Sequence, residues 1–150
     1  MTPEQWKKIE HDLSFAYGCA RIKADGHVIT MEVRQEKPLK FVIAVFIDGK
    51  IEWKRTQEPA PDASERKFWR LKKAYLSSPA KRAEYSAIAK KRGTPKNIKA
   101  IYEKGATEHF EMLDPTWGSA KALCRHLRKH CTAVELLPRF DDFPVDEVRQ

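Results

Sequence analysis

No stretch of this 150-residue chain approaches the ~18 consecutive apolar residues of a membrane-spanning helix. The N-terminus also lacks the basic-then-apolar order of a secretory leader, so neither membrane insertion nor export is expected. Three cysteines cannot all pair within one chain, which favours reduced thiols and a cytoplasmic setting. The six glycines do not assemble into a phosphate-cradling loop, and no Walker or HNH-like pattern is present. Nor does the chain carry a complete helix-turn-helix, zinc finger, leucine zipper or RRM signature. Internal repeats and low-complexity tracts are absent. The adjacent carboxylates Asp141 and Asp142 lie in an acidic terminal stretch, where such residues usually face water. These absences predict a protein that is not an enzyme and needs no cofactor or metal.

What is present argues for folding. Hydrophobic residues make up 41% of the chain, and four Trp and seven Phe supply large surfaces for a core. The length suits one domain. The formal charge of +8 is unevenly spread. Residues 1–50 hold 8 Lys/Arg against 7 Asp/Glu, residues 51–105 hold 15 against 6, and residues 106–150 hold 6 against 8. The whole excess therefore sits in the middle third, a field that attracts DNA, RNA or an acidic protein surface.

Hydrophobic periodicity divides the chain. Thr2 to Gln5 reads as a capping box with Pro3 at the first helical position, and Trp6, Ile9 and Leu13 recur at helical spacing as core residues. From about residue 18 the period becomes two. Strands are expected at residues 18–23, 28–33 and 41–47, with Asp25-Gly26 and Asp48-Gly49 as tight turns, and Ile51-Glu52-Trp53 as a fourth strand of a meander. Asp62 with Glu65 suggests a second capping box, opening a helix through Phe68, Trp69, Leu71, Tyr75 and Leu76. Further helices are expected from Ser78-Pro79 to Gly93 and from Thr94-Pro95 to Gly105. A strand at residues 109–113, a helix from Ser119 to about His130 and a short strand at residues 133–137 complete the pattern. The reading is thus an α+β fold: an N-terminal helix, a four-stranded antiparallel meander, basic helices, and a short β-α-β segment. Residues 1–137 form a single domain, with helix and sheet over 1–56, a basic helical region over 62–105, and an acidic tail over 138–150.

The octapeptide from Cys124 to Cys131, CRHLRKHC, invites a chemical reading. His126 and His130, four apart, share a helix face and form a potential metal pair. Leu127 stands where a zincin-type motif needs Glu, and both cysteines fall on other sides of the helix. Four convergent ligands are therefore not expected. The simpler reading is an apolar stripe of Ala120, Leu123, Cys124 and Leu127, with basic residues in the last turn complementing the helix dipole.

Two basic clusters are stronger candidates for contact. The first carries Lys54, Arg55, Arg66, Lys67, Arg70, Lys72 and Lys73, interleaved with Phe68, Tyr75 and Trp69, the last as a stacking or anchoring residue. The second carries Lys81, Arg82, Lys90, Lys91, Arg92, Lys96 and Lys99, and the contact is expected of Arg66, Lys67, Arg70, Lys73, Lys81, Arg82, Lys90, Lys91 and Arg92. Such side chains contact phosphates without reading sequence, and an exposed aromatic stacks on an unpaired base. The alternative is direct recognition of an acidic protein or ribonucleoprotein. Apolar residues on both faces of the third strand also leave room for a homodimer.

The ordering Trp6…Ile9…Leu13, Asp25-Gly26-His27, Ile51-Glu52-Trp53 and Pro115-Thr116-Trp117-Gly118-Ser119…His126-Leu127 resembles small uncharacterised accessory proteins encoded by bacteriophages and prophages. The likeness spans residues 1–137. It implies action in an infected bacterium, including suppression of nucleic-acid-based immunity such as an anti-CRISPR role. It assigns no role to individual residues.

Overall fold

A computed structural model describes residues 1–57 and 62–140. The first helix, α1 (Pro3–Asp12), starts at the capping box read from the sequence. Thr2 Oγ1 accepts from Gln5 N, and Gln5 Oε1 accepts from Thr2 N. Its Trp6 and Ile9, with Leu13 just past its end, are buried.

Three strands follow as an antiparallel meander: β1 (Cys19–Ala24), β2 (His27–Lys37) and β3 (Lys40–Ile47). Asp25 and Asp48 take φ of 48° and 51°, followed by Gly26 and Gly49 at 86° and 80°. Positive φ at both central residues suits the right-handed twist of a hairpin, which is why Asp-Gly occurs twice. Two later strands extend this meander. The sheet order is β6 (Thr116–Trp117), β3, β2, β1, β7 (Val134–Leu137).

Alternation sets the two faces of the sheet. Ile22 on β1, Ile29, Met31 and Val33 on β2, and Ile43 and Val45 on β3 share one face with Trp117. Over this face lie α1 and α4 (Ala120–His130), the latter burying the expected stripe of Leu123, Cys124 and Leu127. The opposite face carries Arg21, Lys23, Thr30, Glu32 and Arg34, and Arg34 covers Phe46 with its guanidinium 4.7 Å from the ring centroid. Val28, Val42, Ala44 and Phe46 lie on this same face, so it mixes polar and apolar groups.

The expected fourth meander strand does not form. Lys50 makes one isolated bridge to Ile47, and Trp53 opens a 3₁₀ turn (Trp53–Thr56) with 66% of its surface exposed. The second departure is larger. The expected helix from Asp62 to Leu76 is instead a 3₁₀ turn (Ser64–Lys67) followed by strand β4 (Arg70–Tyr75). Glu65 is not free to close a capping box, because its carboxylate binds Arg55 and Ser64. β4 then finds a partner 34 to 44 residues later in β5 (His109–Asp114), in the register Arg70↔Asp114 to Tyr75↔His109.

Between β4 and β5 stand α2 (Pro79–Lys90) and α3 (Lys96–Thr107). Ser78 caps α2 through Lys81 N. The two helices pack chiefly on each other. They approach closely at Gly105, where a side chain's first carbon would lie 3.2 Å from the Tyr85 ring. The Tyr85 and Tyr102 rings meet at 5.7 Å. Residues 70–114 thus form an arm: a two-stranded ribbon topped by a helical hairpin, inserted between β3 and β6. The basic region at 62–105 is helical only in its second half.

The expected acidic tail begins at Pro138. Arg21 donates to the Pro138 carbonyl and stacks on Phe140, while Arg139 pairs with Asp12. The rest of the tail, including Asp141 and Asp142, lies outside the described residues. No helix among the described residues is long and apolar enough to cross a membrane.

Candidate nucleic-acid interface

The arm is anchored at both strands. Phe68 and Trp69, entering β4, are fully buried against the sheet; Trp69 is 1% exposed and its Nε1 donates to the Val45 carbonyl at 3.0 Å. Trp117 Nε1 donates to the Phe68 carbonyl. On the returning strand Leu113 is buried, and Asp114 accepts from Thr116 N at 2.9 Å, Thr116 Oγ1 at 2.6 Å and Arg70 Nη2 at 2.9 Å. Burial alone would raise the Asp114 pKa. The bonds from Thr116 and Arg70 outweigh it and hold the carboxyl below its usual range.

This anchoring overturns the stacking role expected of Trp69. A ring sealed under the sheet cannot meet a base; its indole N–H satisfies a backbone carbonyl instead.

The nine basic candidates separate into three groups. Arg66 and Lys67 belong to the body: the Arg66 carbonyl accepts from His126 Nε2 at 3.0 Å, and Lys67 Nζ lies 2.9 Å from Asp25 Oδ2. Asp25 also accepts from Ala133 N and from Thr132, and these bonds, led by the Ala133 amide and then Lys67, hold its carboxyl well below the usual range. Arg70 is paired with Asp114 at the root of the arm. The remaining six, Lys73, Lys81, Arg82, Lys90, Lys91 and Arg92, ride on the arm beyond its root.

Charge follows that division. Residues 70–114 hold 11 Lys/Arg against 5 Asp/Glu, a net of +6 out of +8 for the chain. Among the described residues, none of Lys73, Lys81, Lys90, Lys91, Arg92, Lys96 and Lys104 forms an ion pair. Lys90, Lys91, Arg92 and Lys96 surround the turn between α2 and α3, the end of the hairpin opposite the ribbon. Because α2 is 12 residues long, this tip lies roughly 18 Å from the start of the helix. The positive surface is therefore a limb with a basic tip and a basic neck.

Sequence reasoning missed His109, and the meeting of Tyr75 with Arg82, at the neck. Arg82 stacks on Tyr75, its Cζ 3.7 Å from the ring centroid, and His109 meets the same ring at 5.7 Å. Lys104 joins the arm's field as well. The signal that would have exposed the ribbon was the alternation Leu71, Lys73, Tyr75 opposite His109, Glu111, Leu113.

The octapeptide serves packing. His126 Nε2 is engaged with Arg66, and its ring lies 5.0 Å from Trp117 and 4.3 Å from His130. Burial holds His126 below the ordinary histidine range, partly countered by the bond to Arg66. Burial also pushes the Cys124 thiol up to about 12 and the Cys131 thiol up to about 11. Among the described residues no three His, Cys, Asp or Glu side chains cluster as metal ligands would.

A cleft of about 220 Å³ on the body is lined by His27, Asp48, Lys50, Glu52, Arg55 and Glu65. Its charges satisfy one another. His27 Nδ1 bonds Asp48 at 2.8 Å, Arg55 binds both Glu52 and Glu65, and Lys50 binds Glu52. The His27 contact, then the Val28 amide, lower the Asp48 pKa. This network ties the hairpin turns to the 3₁₀ turns below the arm.

No family model matches the chain, and comparisons with curated proteins and with solved structures return no match.

Proposed function

We propose that the chain is a nucleic-acid-binding module whose arm, residues 70–114, makes the contact. The observation that carries this is the concentration of +6 on one ribbon-and-hairpin limb whose lysines largely lack carboxylate partners. Partnered cations have little field left to offer, whereas unpaired ones displace condensed counterions from a phosphate backbone. Lys73, Lys81, Arg82, Lys90, Lys91 and Arg92 take the phosphates in this reading, with Lys96 and Lys104 beside them. Lys67 is paired with Asp25 in the body. In an infected bacterium, such a limb would act on host nucleic acid or a nucleoprotein complex.

The test is a titration of labelled duplex DNA, single-stranded DNA and RNA at several salt concentrations. Affinity should fall steeply with salt, and Lys90→Ala/Lys91→Ala/Arg92→Ala should reduce the slope of log K against log salt by about 2–3. No binding of any of the three at low salt defeats the proposal.

A second reading rests on Leu76, Ile98 and Ile101, which are 61%, 40% and 68% exposed on the same arm. Apolar anchors beside cations suit an acidic protein surface. A partner that survives nuclease treatment of a bacterial lysate, and is lost on Ile101→Glu, supports this reading over the first.

A further inference from the structure

We propose that Tyr75, Arg82 and His109 form a nucleotide subsite for single-stranded nucleic acid at the neck of the arm; this rests on the arm being a nucleic-acid contact. Tyr75 closes β4 and pairs with His109, which opens β5, so both side chains leave the same face of the ribbon. Their rings are 5.7 Å apart with planes inclined by 57°, and Tyr75 remains 41% exposed. From the first turn of α2, Arg82 lays its guanidinium over the Tyr75 ring at 3.7 Å.

Arg82 is the unusual member. Its Nε is buried without a hydrogen-bond partner, and among the described residues no carboxylate or carbonyl accepts from its guanidinium. A planar cation fixed against an aromatic ring, with its terminal Nη groups unused, is already oriented for a phosphate oxygen. Exposed Lys73 lies two residues before Tyr75 on the same ribbon face, opposite Glu111, and exposed Lys81 directly precedes Arg82. Both lysines belong to the neck and would meet the neighbouring phosphates of a strand.

Strandedness follows from the rings. In a duplex each base face is covered by its neighbours, so Tyr75 and His109 have nothing to stack on. An unpaired base offers its π-face to an aromatic or guanidinium plane. The neck therefore selects single strands, while the tip at Lys90 to Lys96 adds affinity for any phosphate backbone.

The experiment is fluorescence anisotropy with single-stranded and duplex oligonucleotides of equal length, using the full chain. Wild type should prefer the single strand. Tyr75→Leu should weaken single-strand binding about tenfold and leave duplex binding unchanged, while Tyr75→Phe keeps the ring and the affinity. Arg82→Lys, which preserves charge but not the planar fork, should also weaken the single strand selectively. If Tyr75→Leu disrupts folding by circular dichroism, Arg82→Lys and Tyr75→Phe decide the matter. Equal losses for single strand and duplex in Arg82→Lys, or wild-type indifference to strandedness, overturn the subsite and leave the basic arm standing. Absence of all binding removes the arm proposal itself.

Discussion

Replacing Trp69 by Phe separates an anchor from a contact. Trp69 is 1% exposed, stands one residue before β4, and donates its indole N–H to the Val45 carbonyl at 3.0 Å. Phe keeps most of the apolar bulk but leaves that carbonyl unpaired in the interior, at a cost of about 1–3 kcal/mol. The smaller ring also leaves space beside the sheet, adding about 1 kcal/mol through lost burial and packing. The expected destabilisation is therefore about 2–4 kcal/mol, and Trp69→Ala should cost about 3–5 kcal/mol or more. In urea, a loss of about 2–4 kcal/mol moves the unfolding midpoint down by roughly 1–2 M for a domain of this size. Equilibrium unfolding followed by far-ultraviolet circular dichroism measures it. At low urea, where the variant is folded, its affinity for nucleic acid should match wild type. A midpoint within a few tenths of a molar of wild type would refute the anchoring argument. So would a tenfold loss of nucleic-acid affinity in a fully folded variant.

Three further outcomes follow from other sites. Asp25, Asp48 and Asp114 all titrate below the ordinary carboxylate range in the folded chain. Their stabilising contribution is complete above the unfolded carboxyl pKa near 4 and is lost as pH falls through the lower folded values, so the melting temperature should drop on acidification below about pH 4. Asp25→Asn should flatten that dependence; a melting temperature constant from pH 6 to pH 2 contradicts the assignment. Cys124 and Cys131, buried and held in the thiol form, should resist a thiol reagent at neutral pH and react fully in denaturant. Rapid labelling of both in the native chain would show the helix to be open. At Gly18 a side chain's first carbon would lie 1.9 Å from the Asp12 carbonyl oxygen, so Gly18→Ala should destabilise the fold by about 2 kcal/mol or more, read from the same urea curves.

Local patterns account for much of the body. The capping box at Thr2, the Asp-Gly turns at residues 25 and 48, and the stripe Leu123, Cys124, Leu127 each act within a few residues, and each stands where the sequence places it. The middle third differs. Residues 62–76 combine a capping pattern with helix-compatible spacing, yet Glu65 is drawn away by Arg55 and the following strand pairs with residues 109–114. Neither partner is visible from within the segment. Trp69 among Arg66, Lys67 and Arg70 resembles an interleaved contact surface for the same reason: the bond to the Val45 carbonyl that turns it inward is made 24 residues away.

By composition and periodicity, then, the sequence alone determined an α+β chain with an amphipathic helix towards each end and its cationic excess in the centre. Tertiary structure decided how that excess is used. Long-range pairing of β4 with β5 lifts α2 and α3 onto a limb, and the surrounding carboxylates neutralise Lys67 and Arg70 while leaving Lys73, Lys81 and the hairpin tip unpaired. Charge is a property of residues, but its availability depends on which opposite charges the fold brings within a few ångströms, and that no local pattern specifies.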